Sequence, residues 1–174
     1  MSLFRRLLLL LCLISFNATA YSGPRGLYIL EYPVSMPDVS VITEQNQRQY
    51  ILNTEADLTI FIFWSQSCAP CLREMKYLEE FYPKAAKDNI NVMLISPASD
   101  WNNNTEERIF LTKYGAPTIP FYNDKNNKLS LSLGIGTTPY TVIMDKNGKK
   151  VATIQGEADW DSKSFYKQIK KLIK

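Results

Sequence analysis

The sequence predicts an α/β domain built on a mixed sheet, and three observations lead to this prediction. Residues 58–64, LTIFIFW, form a continuous apolar run typical of a central parallel strand that is buried on both faces. A second such run, NVMLI, covers residues 91–95, and apolar residues at helical spacing separate the two. Near the end of the chain, a Lys-Asn-Gly turn at residues 146–148 joins two further candidate strands, which is typical of a β-hairpin. Strand–helix alternation followed by a hairpin favours a sheet with both parallel and antiparallel pairs.

Residues 1–20 have the pattern of a secretory signal peptide. Two arginines precede the apolar run of residues 7–16, and Ala18 and Ala20 supply the small residues that a signal peptidase reads. The run is shorter than the roughly 18 residues typical of a transmembrane helix. We therefore expect cleavage after Ala20 and a periplasmic or otherwise extracytoplasmic location, with an uncleaved N-terminal membrane anchor as the alternative.

The rest of the chain divides into a leader and one domain. Residues 21–37 contain three prolines and show no clear periodicity, so we expect a poorly ordered leader or linker. The domain is expected to span residues 38–174. It should begin with two short strands, at residues 39–42 and 48–52.

The elements after the first buried strand are predicted from apolar spacing, capping residues and turn signals. We expect Trp160 to pack onto Phe165 at the start of the last helix. The predicted elements are a helix that begins near Cys68 and ends at Pro83, the strand 91–95, a helix opened by Asn104 and Glu107 as a capping box, a short helix over 128–133, strands over 140–145 and 150–154, and a final helix capped by Asp161.

The composition argues against two classes of partner. The chain has 20 basic and 17 acidic residues, and loss of two arginines with the signal would leave 18 against 17, so we expect no nucleic-acid partner. The chain has no histidine, and Cys68 and Cys71 are its only cysteines outside the signal. A structural zinc site normally takes four Cys or His ligands, so we expect no metal, with a metal shared between two chains as the alternative.

Cys68 and Cys71 form a C-x-x-C motif at a chemically favourable place. A helix that follows the carboxyl end of a central strand is where open α/β sheets put their sites. Free N–H groups and the helix dipole at that end stabilise a thiolate, so Cys68 is predicted to be the attacking nucleophile. Cys71 lies one turn deeper and would resolve a mixed disulfide, and Pro70 fits the first turn. A static local disulfide is the alternative.

The stretch FWSQSCAPCLRE, residues 63–74, resembles the active site of the thioredoxin superfamily, in which a Trp stands four residues before C-x-P-C. The longer pattern W-x-x-x-C-x-P-C-x-x-E is similar to the TlpA/ResA-like thiol–disulfide oxidoreductases. A second stretch, GTTPYTVIMDKNGKKV at residues 136–151, resembles the Thr-Pro and β-hairpin of the same family. The resemblance runs from about Met36 to the C-terminus. It implies a thioredoxin-like fold, a redox-active disulfide between the two cysteines and no cofactor.

The resemblance also implies a surface for substrate. Pro139 matches the family's cis-proline, which would turn the backbone of Thr138 toward an extended substrate segment. Trp64 and Pro70 are the other expected substrate-binding residues. An ordinary trans proline at a strand start is the alternative for Pro139, and two nearby prolines, at positions 117 and 120, are rival candidates.

Glu74 lies three residues after Cys71, so the two share a helical face. A carboxyl buried there would have a raised pKa and could exchange a proton with the Cys71 thiol, which is the role that the resemblance implies. Thioredoxin has a buried acid at the position of Ile62, so Glu74 is the best local candidate here. The alternative is a solvated first-turn acid that is favoured by the helix dipole.

The motif also bears on the direction of electron flow. No histidine stands between Cys68 and Cys71 to stabilise a thiolate, and a less stabilised thiolate makes the dithiol a better reductant. The resemblance implies reduction of disulfides in partner proteins, for example in cytochrome c maturation or copper-centre assembly, with a membrane thiol–disulfide carrier as electron donor. The alternatives are an oxidant or isomerase of secreted proteins, a non-catalytic binding module, and a peroxidase with Ser65 near its reactive cysteine.

Overall fold

A computed structural model describes residues 26–173, and the predicted signal peptide lies outside this range. Within the described range, none of the helices is long and apolar enough to cross a membrane. The strands are β1 (Tyr28–Ser35), β2 (Ser40–Thr43), β3 (Arg48–Tyr50), β4 (Leu58–Phe63), β5 (Ile90–Pro97), β6 (Phe121–Asp124), β7 (Tyr140–Asp145) and β8 (Lys149–Gln155). The helices are α1 (Ala69–Lys87), α2 (Asn104–Lys113), α3 (Lys128–Ser132) and α4 (Lys163–Lys170), and short 3-10 turns cover Ala98–Asp100 and Lys125–Asn127.

The strands that the structure describes form one mixed sheet in the order β1-β8-β7-β4-β5-β6-β2-β3. At its centre, β4 pairs parallel with β5 and antiparallel with β7. Every residue of β4 is buried, as expected for a strand covered on both faces. The α/β class and the mixed sheet predicted from the sequence are therefore confirmed.

Alternate residues of β4 enter two separate cores, one on each face of the sheet. Ile60 and Ile62 belong to the larger core, which also contains Met75 of α1, Leu111 of α2 and Ile169 of α4. Phe61 and Phe63, which alternate with them on β4, point into a second core on the other face. This core also contains Met93 of β5 and Leu129 of the short helix α3. The sheet is thus flanked by helices on both faces.

The leader prediction is wrong for residues 28–35, because they form β1 at the edge of the sheet, antiparallel to β8. Side chains such as those of Tyr28 and Tyr32 are exposed, so the strand lacks the apolar alternation that marks a half-buried strand. Its pairing register shifts in the stretch that contains Pro33, as is typical of an edge strand with a proline. The sheet therefore begins at Tyr28, ahead of the predicted boundary at residue 38.

Pro83 does not end α1, which contradicts the predicted helix boundary. The helix continues through Pro83 to Lys87, and Ala85 in its last turn is fully buried. A proline lacks one N–H donor, and the loss of that hydrogen bond is offset here by burial of the last turn.

Two predicted caps lie one residue from the observed ones. Asn103, rather than Asn104, caps α2, and its side chain accepts a hydrogen bond from the N–H of Glu106. Ser162, rather than Asp161, caps α4. Neighbouring Asn, Ser and Asp residues have similar capping preferences, so the sequence does not distinguish between them.

Candidate active site

The Cys68–Cys71 pair lies at the N-terminus of α1, just beyond the carboxyl end of β4. Cys68 is the N-cap residue, and its Sγ accepts a hydrogen bond from the N–H of Cys71 at 3.3 Å. The two sulfurs form a disulfide, with an S–S distance of 2.01 Å and a Cα–Cα distance of 5.3 Å. Cys68 is 8% exposed and Cys71 is 1% exposed. Cys68 is thus the more accessible residue of the two.

This position favours a thiolate on Cys68 when the disulfide is reduced. The backbone N–H groups of the first helical turn have no partners within the helix, and one of them already points at the Cys68 sulfur. The positive end of the helix dipole adds to this stabilisation. The geometry therefore suits disulfide exchange started by Cys68.

Thr138 and Pro139 lie at the same end of the sheet as the cysteines. Phe63, the last residue of β4, pairs with Tyr140, the first residue of β7. The segment that follows Phe63 and the segment that precedes Tyr140 therefore meet at this end of the sheet. The Thr138–Pro139 peptide bond is cis, whereas the rival prolines at positions 117 and 120 have trans bonds. Pro139 is buried, and its carbonyl oxygen accepts a hydrogen bond from the N–H of Gly156 at 2.9 Å.

A cleft of about 310 Å³ opens between the loop that precedes β7, residues 135–138, and the carboxyl ends of the parallel strands β4, β5 and β6. Trp64, Ser65, Ser96 and Thr138 are among the residues that line it. Such crevices at the carboxyl ends of parallel strands are the usual ligand sites of open α/β sheets. Pro70 is half-buried in the first turn of α1 and does not line this cleft.

Trp64 is buried beneath the cleft with an exposure of 1%. Its ring packs against Trp101 and Phe110, with centroids 5.6 and 6.3 Å away. Its Nε1 has no hydrogen-bond partner among the described residues. The indole is thus held by aromatic contacts rather than by a hydrogen bond.

Glu74 is a buried carboxyl group, 5% exposed, and so differs from a solvated first-turn acid. Its Oε1 accepts hydrogen bonds from the N–H of Ala158 at 2.6 Å and from Trp160 Nε1 at 2.9 Å, both from the segment that follows β8. Burial raises the pKa of Glu74 to about 7, although these two hydrogen bonds oppose the rise. Glu74 can therefore gain or lose a proton near neutral pH, one helical turn from Cys71.

A second buried carboxyl group, Glu107, has a position that the capping-box prediction does not anticipate. It is 0% exposed and contacts β5 and β6 instead of capping α2. Ser96 Oγ donates to its Oε1 at 2.7 Å, and Asn123 Nδ2 donates to its Oε2 at 2.6 Å. Burial raises the pKa of Glu107 to about 7. One sequence signal could have revealed it: Glu107 stands four residues before the buried Leu111, on the apolar face of α2.

Comparisons with known proteins agree with this architecture. The family model described as Redoxin matches residues 34–169. The chain is 30% identical over 117 residues to "Thiol-disulfide oxidoreductase ResA" of Geobacillus thermodenitrificans (strain NG80-2). The matched stretch covers 67% of this chain and 65% of the relative, so the chain spans just under two thirds of that relative's length. A relative of the same name from Bacillus thuringiensis subsp. konkukian (strain 97-27) is 26% identical over 161 residues. This match covers 89% of this chain and 88% of the relative's length.

The solved structures show the same fold at low sequence identity. A DsbF homologue from Corynebacterium diphtheriae superposes with a TM-score of 0.66 at 19% identity, covering 87% of this chain and 94% of that one. The predicted thioredoxin-like fold and the resemblance to ResA-like proteins are therefore confirmed. Since the family model spans most of the sequence, the chain belongs to the Redoxin family.

Proposed function

We propose that this chain is an extracytoplasmic thiol–disulfide oxidoreductase that reduces disulfides of partner proteins through Cys68 and Cys71. The observation that carries the proposal is the position of the disulfide at the N-terminus of α1, with Cys68 outermost. The relatives named as thiol–disulfide oxidoreductases support this activity. The extracytoplasmic location rests on the signal-like sequence of residues 1–20.

In the proposed reaction, the Cys68 thiolate of the reduced protein attacks one sulfur of a partner disulfide. A bond forms between Cys68 and that sulfur, and the other partner sulfur leaves as a thiolate. Cys71, as a thiolate, then attacks Cys68 Sγ, which closes the Cys68–Cys71 disulfide and releases the partner as a dithiol. The partner gains two electrons and this chain loses two. A membrane thiol–disulfide carrier would restore the dithiol.

Glu74 is proposed to take the proton of the Cys71 thiol before the second attack. It shares a helical face with Cys71, and its carboxyl is buried and titrates near neutral pH. The hydrogen bonds from Ala158 and Trp160 hold one oxygen of the carboxylate in place. The shared helical face and the pKa near neutrality support Glu74 as the general base for the resolving thiol.

The proposed substrate surface is formed by the half-buried Pro70 and Thr138, with the buried Trp64 and Pro139 lying directly beneath it. Residues 62–72 and 129–138 carry no charged side chain. Asp124 also lines the adjacent cleft, but it is 2% exposed and its carboxylate accepts hydrogen bonds from the N–H groups of Leu129 and Ser130. An extended partner segment could pair with the backbone near Thr138, as in strand addition. We therefore expect the segment that flanks the reactive cysteine of the partner to be neutral rather than strongly charged.

Reduction is the proposed direction because the motif is Cys-Ala-Pro-Cys, without a histidine that would stabilise the thiolate of Cys68. We expect a reduction potential of roughly −200 mV or lower in a glutathione titration. A strongly oxidising potential would instead favour an oxidant of secreted proteins. Reduction of apocytochrome c or of a copper-site protein would be consistent with the proposed direction.

The test is covalent trapping in cells, followed by non-reducing gels. Cys71→Ser should accumulate mixed disulfides, because the resolving thiol is absent, whereas Cys68→Ser should give none. The purified wild-type domain should also reduce insulin in the presence of a thiol donor. Trapping by Cys68→Ser alone would invert the two roles, and a wild-type domain inactive toward insulin would favour a binding module. The proteins trapped by Cys71→Ser identify the pathway.

A further inference from the structure

Glu107 is the centre of a buried hydrogen-bond network that joins three elements of the fold. In addition to the bonds from Ser96 and Asn123, the network includes Trp101, whose Nε1 donates to Ser96 Oγ at 3.0 Å. Asn123 Nδ2 also donates to Ser96 Oγ, at 3.1 Å. Ser96 is therefore a single hydroxyl that links Trp101 to the Glu107 carboxylate.

Two contacts connect this network to the disulfide loop, which we define as residues 64–68, between β4 and α1. The first is aromatic: Trp101 packs on Trp64, the tryptophan four residues before Cys68, with ring centroids 5.6 Å apart. The second is polar: Gln66 Nε2 donates to the carbonyl oxygen of Asp100 at 2.6 Å, and the N–H of Gln66 donates to Asp100 Oδ2 at 3.2 Å. The segment that precedes Cys68 is thus attached to the segment that Ser96 and Glu107 hold in place.

We propose that Glu107 is a positioning residue for the dithiol site, acting through Ser96 and Trp101 on the orientation of Trp64. The proposal rests on the proposed function for its meaning in catalysis. It concerns a group that does not touch the sulfurs. Its consequence is that the ionisation of Glu107 and the environment of Trp64 are coupled.

The hydrogen bonds explain why ionisation matters. With Glu107 as a carboxylate, Ser96 donates its proton to Oε1 and accepts from Trp101 and Asn123, so every group is satisfied. A proton on Oε1 of Glu107 has Ser96 Oγ as its acceptor, whereas Oε2 faces only the N–H donor of Asn123, so Oε1 is the favoured position. The protonated carboxyl would then donate to Ser96 and compete with the Trp101 N–H, while the Ser96 proton would lose its acceptor. The Trp101 hydrogen bond therefore weakens when Glu107 becomes neutral.

Burial is the main cause of the raised pKa of Glu107, and charged groups on the neighbouring elements adjust it further. Asp100, in the turn after β5, raises its pKa, whereas Arg108 on α2 lowers it less than burial raises it. Arg108 is engaged with Glu44, at 2.6 Å between Nη2 and Oε2, and so does not pair with Glu107 directly. On β6, Asp124 directs its carboxylate to the first turn of α3 instead. β5 contributes no charged residue.

The indole N–H signals in a proton–nitrogen NMR spectrum test this coupling without requiring any activity. The oxidised domain has three tryptophans, and each reports on a different environment: Trp101 on Glu107, Trp160 on Glu74, and Trp64 on the disulfide loop. Between pH 5 and pH 9 we expect the Trp101 and Trp64 signals to shift with one common midpoint. In Glu107→Gln both shifts should disappear, while the Trp160 shift should remain.

The second measurement is the rate at which the reduced domain reduces a peptide disulfide, as a function of pH. Glu107→Gln imitates the neutral carboxyl, so we expect a loss of about 3-fold or more in rate above pH 7 and little change near pH 5. Glu106→Gln is the matched control. Glu106 is the exposed neighbour on α2, bonded to Asn102 outside the network, and its variant should keep the wild-type profile.

The outcomes separate this proposal from the proposed function. A Trp64 signal that does not follow the Trp101 midpoint overturns the positioning role, whether or not the domain is active. An unchanged pH–rate profile in a folded Glu107→Gln, with wild-type activity present, also overturns it and leaves the oxidoreductase proposal intact. Wild-type inactivity combined with the common midpoint would refute the function but not the structural coupling. If Glu107→Gln does not fold, Ser96→Ala removes the same link and should uncouple Trp64 from the Glu107 midpoint.

Discussion

Glu74 and Glu107 are both buried carboxyl groups linked to a tryptophan, but the protein holds them in different ways. Glu74 accepts both of its hydrogen bonds on Oε1 and borders an open cleft of about 570 Å³ between α1 and the segment after β8. Glu107 is fully enclosed, with one donor on each oxygen. A carboxyl with a free oxygen near a cleft can pass a proton onward, whereas a fully bonded one can act only by orienting its donors. Burial alone therefore does not identify a general base.

The largest effect expected from this pair concerns stability as a function of pH. The pKa of each carboxyl rises from 4.5 to about 7 on folding, so the folded protein retains protons that the unfolded chain has released. This contribution to stability is fully present below about pH 4.5 and is lost as pH rises through about 7. Each group accounts for about 3 kcal/mol of that decrease.

Urea unfolding of the oxidised domain between pH 4.5 and pH 8 measures this decrease. We expect the unfolding free energy to fall across the range in the wild type, to fall less in either Glu74→Gln or Glu107→Gln, and to be nearly flat in the double variant. An equally steep fall in the double variant would mean that neither carboxyl is protonated near neutral pH in the folded state.

The next effect distinguishes the two carboxyls by their chemistry. Glu74→Gln cannot accept the Cys71 proton, so disulfide exchange should slow by about 10-fold or more while the fold is retained. The rate should also lose its dependence on the ionisation of Glu74 near pH 7. Glu80→Gln, an exposed change on the same helix, is the control and should match the wild type. Wild-type kinetics in Glu74→Gln would show that its burial serves the structure alone.

The sequence predicts one of these sites and misses the other, for a physical reason. Glu74 is recognisable because the C-x-P-C motif and helical periodicity place it on the same face as Cys71, so only local spacing is needed. The partners of Glu107 come from elsewhere: Ser96 from β5, Asn123 from β6 and Trp101 from the turn between β5 and α2. A single sequence contains no direct record of which distant polar groups meet in the core.

The same distinction explains the predicted and missed elements of the fold. The central strand β4 is predictable because burial on both faces leaves a continuous apolar run. The edge strand β1 and the four-residue strand β6 have no such pattern, since their place depends on backbone pairing with distant strands. Disulfide and cis-proline positions were predictable through the family motif rather than through periodicity.

The smallest effect concerns the donors that hold Glu74. Trp160→Phe removes the indole donor and leaves the N–H of Ala158 as the donor to Oε1. Because a hydrogen bond to the carboxylate favours the charged form, its loss should raise the pKa of Glu74 further. We expect the inflection of the exchange rate that reflects Glu74 to move up by about one pH unit, so that the rate at pH 7 falls about 5-fold.

Trp101→Phe is the matched control for this change, because Trp101 donates to Ser96 and not to Glu74. It should leave the Glu74 inflection in place, even if it alters the signal of Trp64. Both variants should fold, because phenylalanine keeps an aromatic ring at each position. At position 160 the ring can contact Phe81 and Phe165, and at position 101 it can contact Trp64 and Phe110. A shift of the same size in both variants would mean that the two carboxyls titrate as one coupled unit. Glu74 and Glu107 would then be two ends of a single network, and the separate roles assigned to them would have to be merged.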